Sequence, residues 1–307
     1  MRHQIVFGTL AFSVIATQAL AQGAGATPTS YRAARAIFAA PITAMAPAAT
    51  APTQAAAPKK WTITSGADFP SLYVFRGIVQ EYDAGFTVQP FVDAGTAVSD
   101  KLSVNFGTWN SFQSGTSGSD NPLANGAWYE SDLYISATVT SGRLKFGPLW
   151  TSYTSPNDAY KAVQELAGVF TYDDSNQKVP FSPKAVLAFE LSDAQADGGA
   201  HKGVYLELGV KPAVKPGGSS VTLAFPVKLG LSLKDYYEVN GEDNTFGYFQ
   251  FGGNVSVPIS ALAAPALEVH GGVDFYCFPE NRKVALAGDD ELKSVKPVFN
   301  IGFSFTF

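Results

Sequence analysis

The last stretch of the chain, Ser294 to Phe307, alternates strictly. Phe299, Ile301, Phe303, Phe305 and Phe307 fall on one face, and Asn300, Gly302, Ser304 and Thr306 on the other. A period of two is that of a β-strand with one greasy face and one small or polar face. The pattern returns upstream. Over 266–278, Leu267, Val269, Gly271, Val273, Phe275 and Cys277 oppose Glu268, His270, Gly272, Asp274 and Tyr276. Over 219–233, Val221, Leu223, Phe225, Val227, Leu229 and Leu231 oppose Thr222, Lys228, Gly230 and Ser232. Over 245–259, Tyr248, Gln250, Gly252, Asn254 and Ser256 oppose Phe249, Phe251, Val255 and Val257. Over 128–140, Glu130, Asp132, Tyr134, Ser136 and Thr138 oppose Leu133, Ile135, Ala137 and Val139.

Runs of this kind predict twelve strands, over 70–80, 85–96, 101–112, 128–140, 143–154, 162–173, 183–192, 202–212, 219–233, 245–259, 266–278 and 296–307. In the sixth, Ser155 to Leu166 also reads as the start of a short helix capped by Ser155 or Asn157. Pro90, Pro148, Pro226 and Pro258 fall inside predicted strands, where proline marks a bulge or a misplaced boundary.

A soluble sandwich alternates similarly, so connection lengths decide the reading. Ala97–Asp100, Ser141–Gly142, Pro212–Gly218 and Ser260–Pro265 are turns, whereas Gln113–Ala127, Lys234–Asn244 and Pro279–Val295 are long. The long ones recur in one phase. Short turns at one end and long loops at the other are the habit of bacterial membrane barrels. The polar faces, rich in glycine, serine, asparagine and charge, suit a wet lumen. The fold class expected is therefore all-β, an up-and-down antiparallel transmembrane β-barrel with both ends in the periplasm.

The N-terminus agrees with export. Arg2 and His3 precede an apolar run from Ile5 to Ala16, and Ala19-Leu20-Ala21 makes a cleavage site. Residues 1–21 thus read as a secretory signal peptide, cut before Gln22. Residues 22–60 are rich in alanine, proline and threonine. Pro41, Pro47, Pro52 and Pro58 forbid a long helix, so an extended periplasmic tail is expected, with a plug in the pore as the alternative. The barrel would occupy 61–307, in the bacterial outer membrane.

Composition narrows the picture further. Apolar residues make up 46% of the chain, yet no apolar run of 18 residues follows the leader. A membrane protein with that pattern crosses by strands. The net charge is −5 with no basic block, which argues against nucleic acid as a partner. Cys277 is the only cysteine, so no internal disulfide is expected.

Candidate lumen residues are the charges on polar faces: Arg76, Arg143, Lys145, Lys211 and Lys228, against Asp93, Glu130, Asp132, Glu165, Glu190, Glu207, Glu268 and Asp274, with His270. Inside a barrel such groups survive by pairing or by contact with water. A twelve-stranded bore lies between narrow filled barrels and wide porins, so a narrow wet pore and a filled bore both stay open. Arg76 is placed near Gln89, Phe91 and Asp93 by hairpin pairing, either tying strands together or lining a solute path. Small polar solutes, outer-membrane lipid and lipopolysaccharide are the expected partners, with no cofactor. The mature chain carries only His201 and His270, neither with a second ligand at metal-site spacing. No G-x-S-x-G motif is present, though His270 lies among lumen serines. Asp120 to Asn125 and the pair Asp289–Asp290 put acidic groups in long loops that cations can visit.

One ordered set of motifs carries a resemblance. Tyr73-Val74-Phe75-Arg76-Gly77-Ile78 is followed by Gln89-Pro90 and by Val104-Asn105-Phe106-Gly107-Thr108-Trp109. Glu130-Ser131-Asp132-Leu133 and Gln164-Glu165-Leu166 come later. This order resembles the TorF-family porins of proteobacterial outer membranes, over roughly residues 70–307. Leu72 stands where that family usually has an acidic residue. The resemblance implies a barrel and a pore, and names no substrate.

Overall fold

The computed structural model describes residues 61–80, 85–115, 126–192, 199–239, 241–259, 266–278 and 295–307. The expected signal peptide, the 22–60 tail and the acidic groups at Asp120–Asn125 and Asp289–Asp290 lie outside the described residues.

Twelve antiparallel strands form one closed barrel. They are β1 (Thr62–Pro70), β2 (Thr87–Ser99), β3 (Leu102–Gln113), β4 (Trp128–Ser141), β5 (Leu144–Thr154) and β6 (Val163–Tyr172). The ring continues through β7 (Lys184–Glu190), β8 (Val204–Val210), β9 (Val227–Lys234), β10 (Phe246–Ile259), β11 (Ala266–Cys277) and β12 (Val295–Thr306). Each strand pairs with the next, and β12 returns to β1 with Thr306 opposite Thr64 and Asn300 opposite Pro70. At the rim, Phe307 N donates to Ile63 O at 2.9 Å and Ile63 N to Phe307 O at 3.4 Å. Closure leaves no unpaired edge, the condition for crossing hydrocarbon with strands.

The first strand differs from expectation. It is Thr62–Pro70, not 70–80. Its two central outward positions, Ser65 and Ala67, are small, so its alternation between Ile63 and Phe69 is faint in the sequence. The stronger run that follows belongs to a connection. There Val74–Phe75 pairs with Ile78–Val79 across Arg76 and Gly77, and Gln80 N donates to Tyr73 O at 2.8 Å. Arg76 has φ 45° and Gly77 φ 75°, two left-handed residues in a two-residue hairpin turn. Glycine at 77 is needed twice over, because a Cβ there would also sit 2.7 Å from Tyr248 Cβ.

The remaining predicted strands match within three residues at their ends, except 219–233, which is split into Thr222–Ala224 and β9. Pro226 falls in a break, where Thr222–Ala224 stops before β9, and Gly252 N crosses to Pro226 O. Ser155 starts a capped turn and no helix: Ser155 Oγ and Asn157 Oδ1 both accept Ala159 N, and the strand begins at Val163. Among the described residues the only helical turn is Pro216–Gly218.

Two surfaces follow from the period of two. Outward, Phe106, Leu133, Ile135, Phe170 and Phe251 are exposed, and Phe299 and Ile301 keep 59% and 60% of their surface. Each such side chain would cost about 1.5–3 kcal/mol to leave in water, so this belt suits hydrocarbon. Inward lies the hydrophobic core of the described residues. Trp109, Tyr129, Tyr153, Tyr205 and Tyr248 of the wall pack with Tyr73, Phe75 and Ile78 of the hairpin and with Tyr236 and Tyr237 from the β9–β10 connection. These wall residues sit near the long-connection ends of their strands. The bore is therefore filled by protein at that end.

Deleting Phe307 removes both rim bonds between the chain end and Ile63. Less heat-modifiable, folded barrel should appear in membranes by gel shift. Unchanged amounts would show that β1 and β12 close without the terminal residue.

Candidate functional site

The hairpin is held by the wall around its turn. Arg76 forms a two-pronged bond to Glu165 of β6, Nη1 to Oε2 at 2.6 Å and Nη2 to Oε1 at 2.8 Å. Nη1 also donates to Tyr236 OH at 2.8 Å. The guanidinium lies 4.2 Å from the Tyr205 ring centroid and 4.6 Å from that of Phe75. Only 6% and 5% of the Arg76 and Glu165 side chains remain exposed. Arginine fits because its planar fork matches a carboxylate edge-on and stacks on aromatic faces. The backbone is held too: Tyr237 OH donates to Arg76 O at 2.7 Å, and Tyr129 OH reaches Gln80 O at 3.4 Å. Tyr73 OH donates to Glu130 Oε2 at 3.1 Å.

Arg76 thus stands on a turn inside the bore, not on a wall strand beside Asp93 as hairpin pairing had placed it. Asp93 instead accepts Asn105 Nδ2 at 2.9 Å and Tyr134 OH at 3.2 Å. The change follows from the shifted first strand, which turns 71–80 from wall into filling.

Beside the hairpin, the inner wall of β2, β3 and β4 carries a patch of polar atoms without a hydrogen-bond partner among the described residues. They are Gln89 Nε2, Trp109 Nε1, Ser111 Oγ and both side-chain polar atoms of Gln113, with the buried Asp132 carboxyl beside Glu130 among them. The strand register makes them neighbours: Gln113 opposes Thr87, Ser111 opposes Glu130 and Trp109 opposes Asp132. The Tyr73 ring covers this patch, 5.4 Å from the ring of Trp109. Buried groups of this kind normally find partners, which sets this patch apart from the paired polar groups around Arg76.

Toward the short-turn end the wall is half-exposed and charged. Lys145, Thr171, Lys184, Gly209 and Lys228 lie in one row across β5 to β9. Lysines on alternate strands stand roughly 10 Å apart there. Lys145 also pairs with Asp173 at 3.5 Å. The facing arc carries Asp93 and Glu268 at this level, while Asp68, which is buried, and Asp274 lie nearer the long-connection end. His270 Nε2 and Asp68 Oδ1 meet at 2.7 Å across β12, with Asn300 Nδ2 donating to the same oxygen at 3.0 Å. They meet because residue 302 is glycine, where a Cβ would run into both groups.

Of the other expected lumen residues, Glu130, Asp132 and Glu165 are buried in the bore. Glu190 accepts Gly203 N at 2.6 Å, and Glu207 accepts Tyr205 and Tyr248 hydroxyls at 3.1 Å each. Glu268 is exposed near a turn, and Asp274 faces Gly252 on β10. Arg143 lies exposed in the β4–β5 turn, and Lys211 follows β8. Two site residues escaped the sequence reading. Lys184 was visible, since it shares parity with Glu190 on β7. Asp68 was hidden, lying outside the expected first strand.

A second cluster lies outside the strands. His201, from the β7–β8 connection, meets Asp235 and Glu238, from the β9–β10 connection, with one ligand atom from each all within 4.8 Å. His201 Nδ1 and Glu238 Oε1 are 2.7 Å apart, and Glu238 Oε2 accepts Ala200 N and His201 N at 2.7 and 2.8 Å. The bond to Glu238, and then its charge, hold the His201 pKa above the usual value. Burial pushes Glu238 up, but the His201 side chain and the two backbone donors outweigh it and hold its pKa below the usual value.

No family model matches the chain, and no curated protein does. Solved structures similar to it include the NanC porin, at 9% identity over 79% of this chain and 98% of that one, TM-score 0.45. Others are an outer-membrane channel from Pseudomonas putida F1 (11% identity, 82% and 97% covered, TM-score 0.44) and the translocator domain of the autotransporter NalP from Neisseria meningitidis (9%, 81% and 89%, TM-score 0.39).

Two predictions follow from these contacts. Arg76→Ala or Glu165→Ala leaves one charge buried alone and should cost about 3–5 kcal/mol in urea unfolding of the detergent-folded barrel. Replacing both by apolar residues, as in Arg76→Met with Glu165→Leu, should recover most of that loss. Equal losses in single and double variants would mean the pair is not the anchor. For His201, whose folded pKa is raised, the contact is complete below about pH 6.5 and is lost as pH rises through the raised value. Trypsin cleavage after Lys202 or Lys234, relative to a His201→Gln variant at the same pH, should therefore speed up with rising pH. A constant ratio would contradict it.

Proposed function

We propose that this chain is a bacterial outer-membrane channel for small polar solutes whose passage is governed by the hairpin 73–80. The long connections face the cell exterior, and both chain ends face the periplasm. One observation carries the reading: the buried polar atoms of Gln89, Ser111 and Gln113 beside the docked hairpin, which have no hydrogen-bond partner among the described residues. A bore meant only to be filled would have satisfied them from within the protein. A path along β2 to β4 gives them water or solute partners whenever the hairpin shifts. The outward apolar belt supports a membrane setting, and the charged lower bore supports a wet one. The TorF-family resemblance belongs to this proposal, since its Tyr-Val-Phe-Arg-Gly-Ile element is the hairpin itself.

A second reading is a non-conducting barrel with a solid core. The complete burial of Tyr129, Tyr205 and Tyr237 favours it. Planar-bilayer recordings separate the two. The parent should show small, discrete openings, and a variant with 73–80 replaced by a flexible glycine–serine linker should conduct several-fold more. Silence from both proteins would establish the second reading.

A further inference from the structure

We propose that His201, Asp235 and Glu238 form a binding site for a divalent transition metal of the zinc class, which clasps two connections over the aromatic filling of the bore. The three side chains come from two separate connections, and one ligand atom of each already lies within 4.8 Å of the others. Around a tetrahedral ion with bonds of about 2.0–2.2 Å, ligand atoms stand roughly 3.3–3.5 Å apart. The His201–Glu238 pair, at 2.7 Å, needs to open by less than an ångström, and Asp235, within 4.8 Å of both, needs to close by at most roughly 1.5 Å. Side-chain rotation supplies both movements, because 65% of the His201 side chain and 26% of Asp235 are exposed.

The donor set chooses the ion. One imidazole with two carboxylates leaves the fourth position of a tetrahedron to solvent and suits zinc or nickel. Calcium asks for six to eight oxygens, and magnesium for an octahedron of them. Glu238 is the fixed member: its side chain is 4% exposed and is oriented by the backbone N–H groups of Ala200 and His201. A ligand oriented in this way loses little freedom on binding.

The place of the site gives it a consequence. Asp235 and Glu238 flank Tyr236 and Tyr237, which stand in the bore and hold Arg76 through its guanidinium and its carbonyl. A metal that joins both ends of this four-residue segment to the neighbouring connection restrains both tyrosines. Protons compete for the same imidazole, whose charged form Glu238 and Asp235 favour and Lys234 opposes. Metal affinity therefore rises with pH as His201 loses its proton. The site stands or falls apart from the channel reading, since it needs only the folded connections.

The test is calorimetric titration of the full-length, detergent-folded protein with zinc chloride. One zinc per barrel is expected, bound at least tenfold more weakly by His201→Ala and by Asp235→Asn, and equally well by His270→Ala. Affinity should rise from about pH 6 to about pH 8. Zinc should also slow trypsin cleavage after Lys234 in the parent and not in His201→Ala. The proposal is overturned if the parent binds no zinc, if both variants bind it as the parent does, or if calcium binds as tightly. Gel-shift folding of each variant is scored first. If His201→Ala fails to fold, Asp235→Asn decides the outcome.

Discussion

Arg76 carries its charge to a place sheltered from water, and Glu165 meets it there with two bonds of 2.6 and 2.8 Å. Neither group is comfortable alone, since desolvating each ion costs several kcal/mol. Their attraction offsets that cost only while geometry, donors and ring faces are all in place. The hairpin must therefore present its turn in one orientation, with Gly77 against Tyr248 and the Arg76 carbonyl against Tyr237. Much of the upper bore follows from that constraint. Two connections that would otherwise lie outside fold inward, and the barrel acquires an aromatic core where a wider one would hold water.

The interior is consequently divided. Near the long connections the bore is packed, and its polar groups are mostly paired within the protein. Near the short turns the lysine row, and Asp93 and Glu268 facing it, remain at least partly exposed. The patch on β2 to β4 belongs to neither regime, being buried and still short of partners among the described residues. It lies where the hairpin leans on the wall, at the boundary between filling and wall. The His201 cluster sits above the second inward element, the Tyr236–Tyr237 segment. Each of the two elements is thus held by polar contacts that a proton, a metal or a solute can alter.

What could be read from the sequence was what local periodicity encodes. β10, β11 and β12 announce themselves because large apolar and polar residues alternate without interruption. Barrel closure, too, was readable in the phase of long and short connections. β1 was not, because Ser65 and Ala67 on its outward face give little contrast with the inward face. The hairpin was misplaced for the opposite reason: Tyr73 to Val79 alternates well enough for a wall strand, yet every residue in it except Val74 is buried. Sequence periodicity records local geometry and says nothing of whether a segment lies in the wall or inside it. The partners of Arg76 and of His201 were beyond reach for the same reason. Arg76 to Glu165 and His201 to Glu238 are contacts between distant connections and strands, fixed by the closed ring and not by spacing.

The central claim is that the docked hairpin governs passage through the bore. Single-channel recording on a Cys277→Ser background, with cysteines at Tyr73 and Trp109, addresses it most directly. The native rings at these positions touch, with centroids 5.4 Å apart, so a short bis-methanethiosulfonate linker can tie hairpin to wall, each thiolate forming a disulfide and releasing methanesulfinate. The cross-linked barrel should be silent, and the same protein without the linker should open. Equal conductance in the two states would contradict the account.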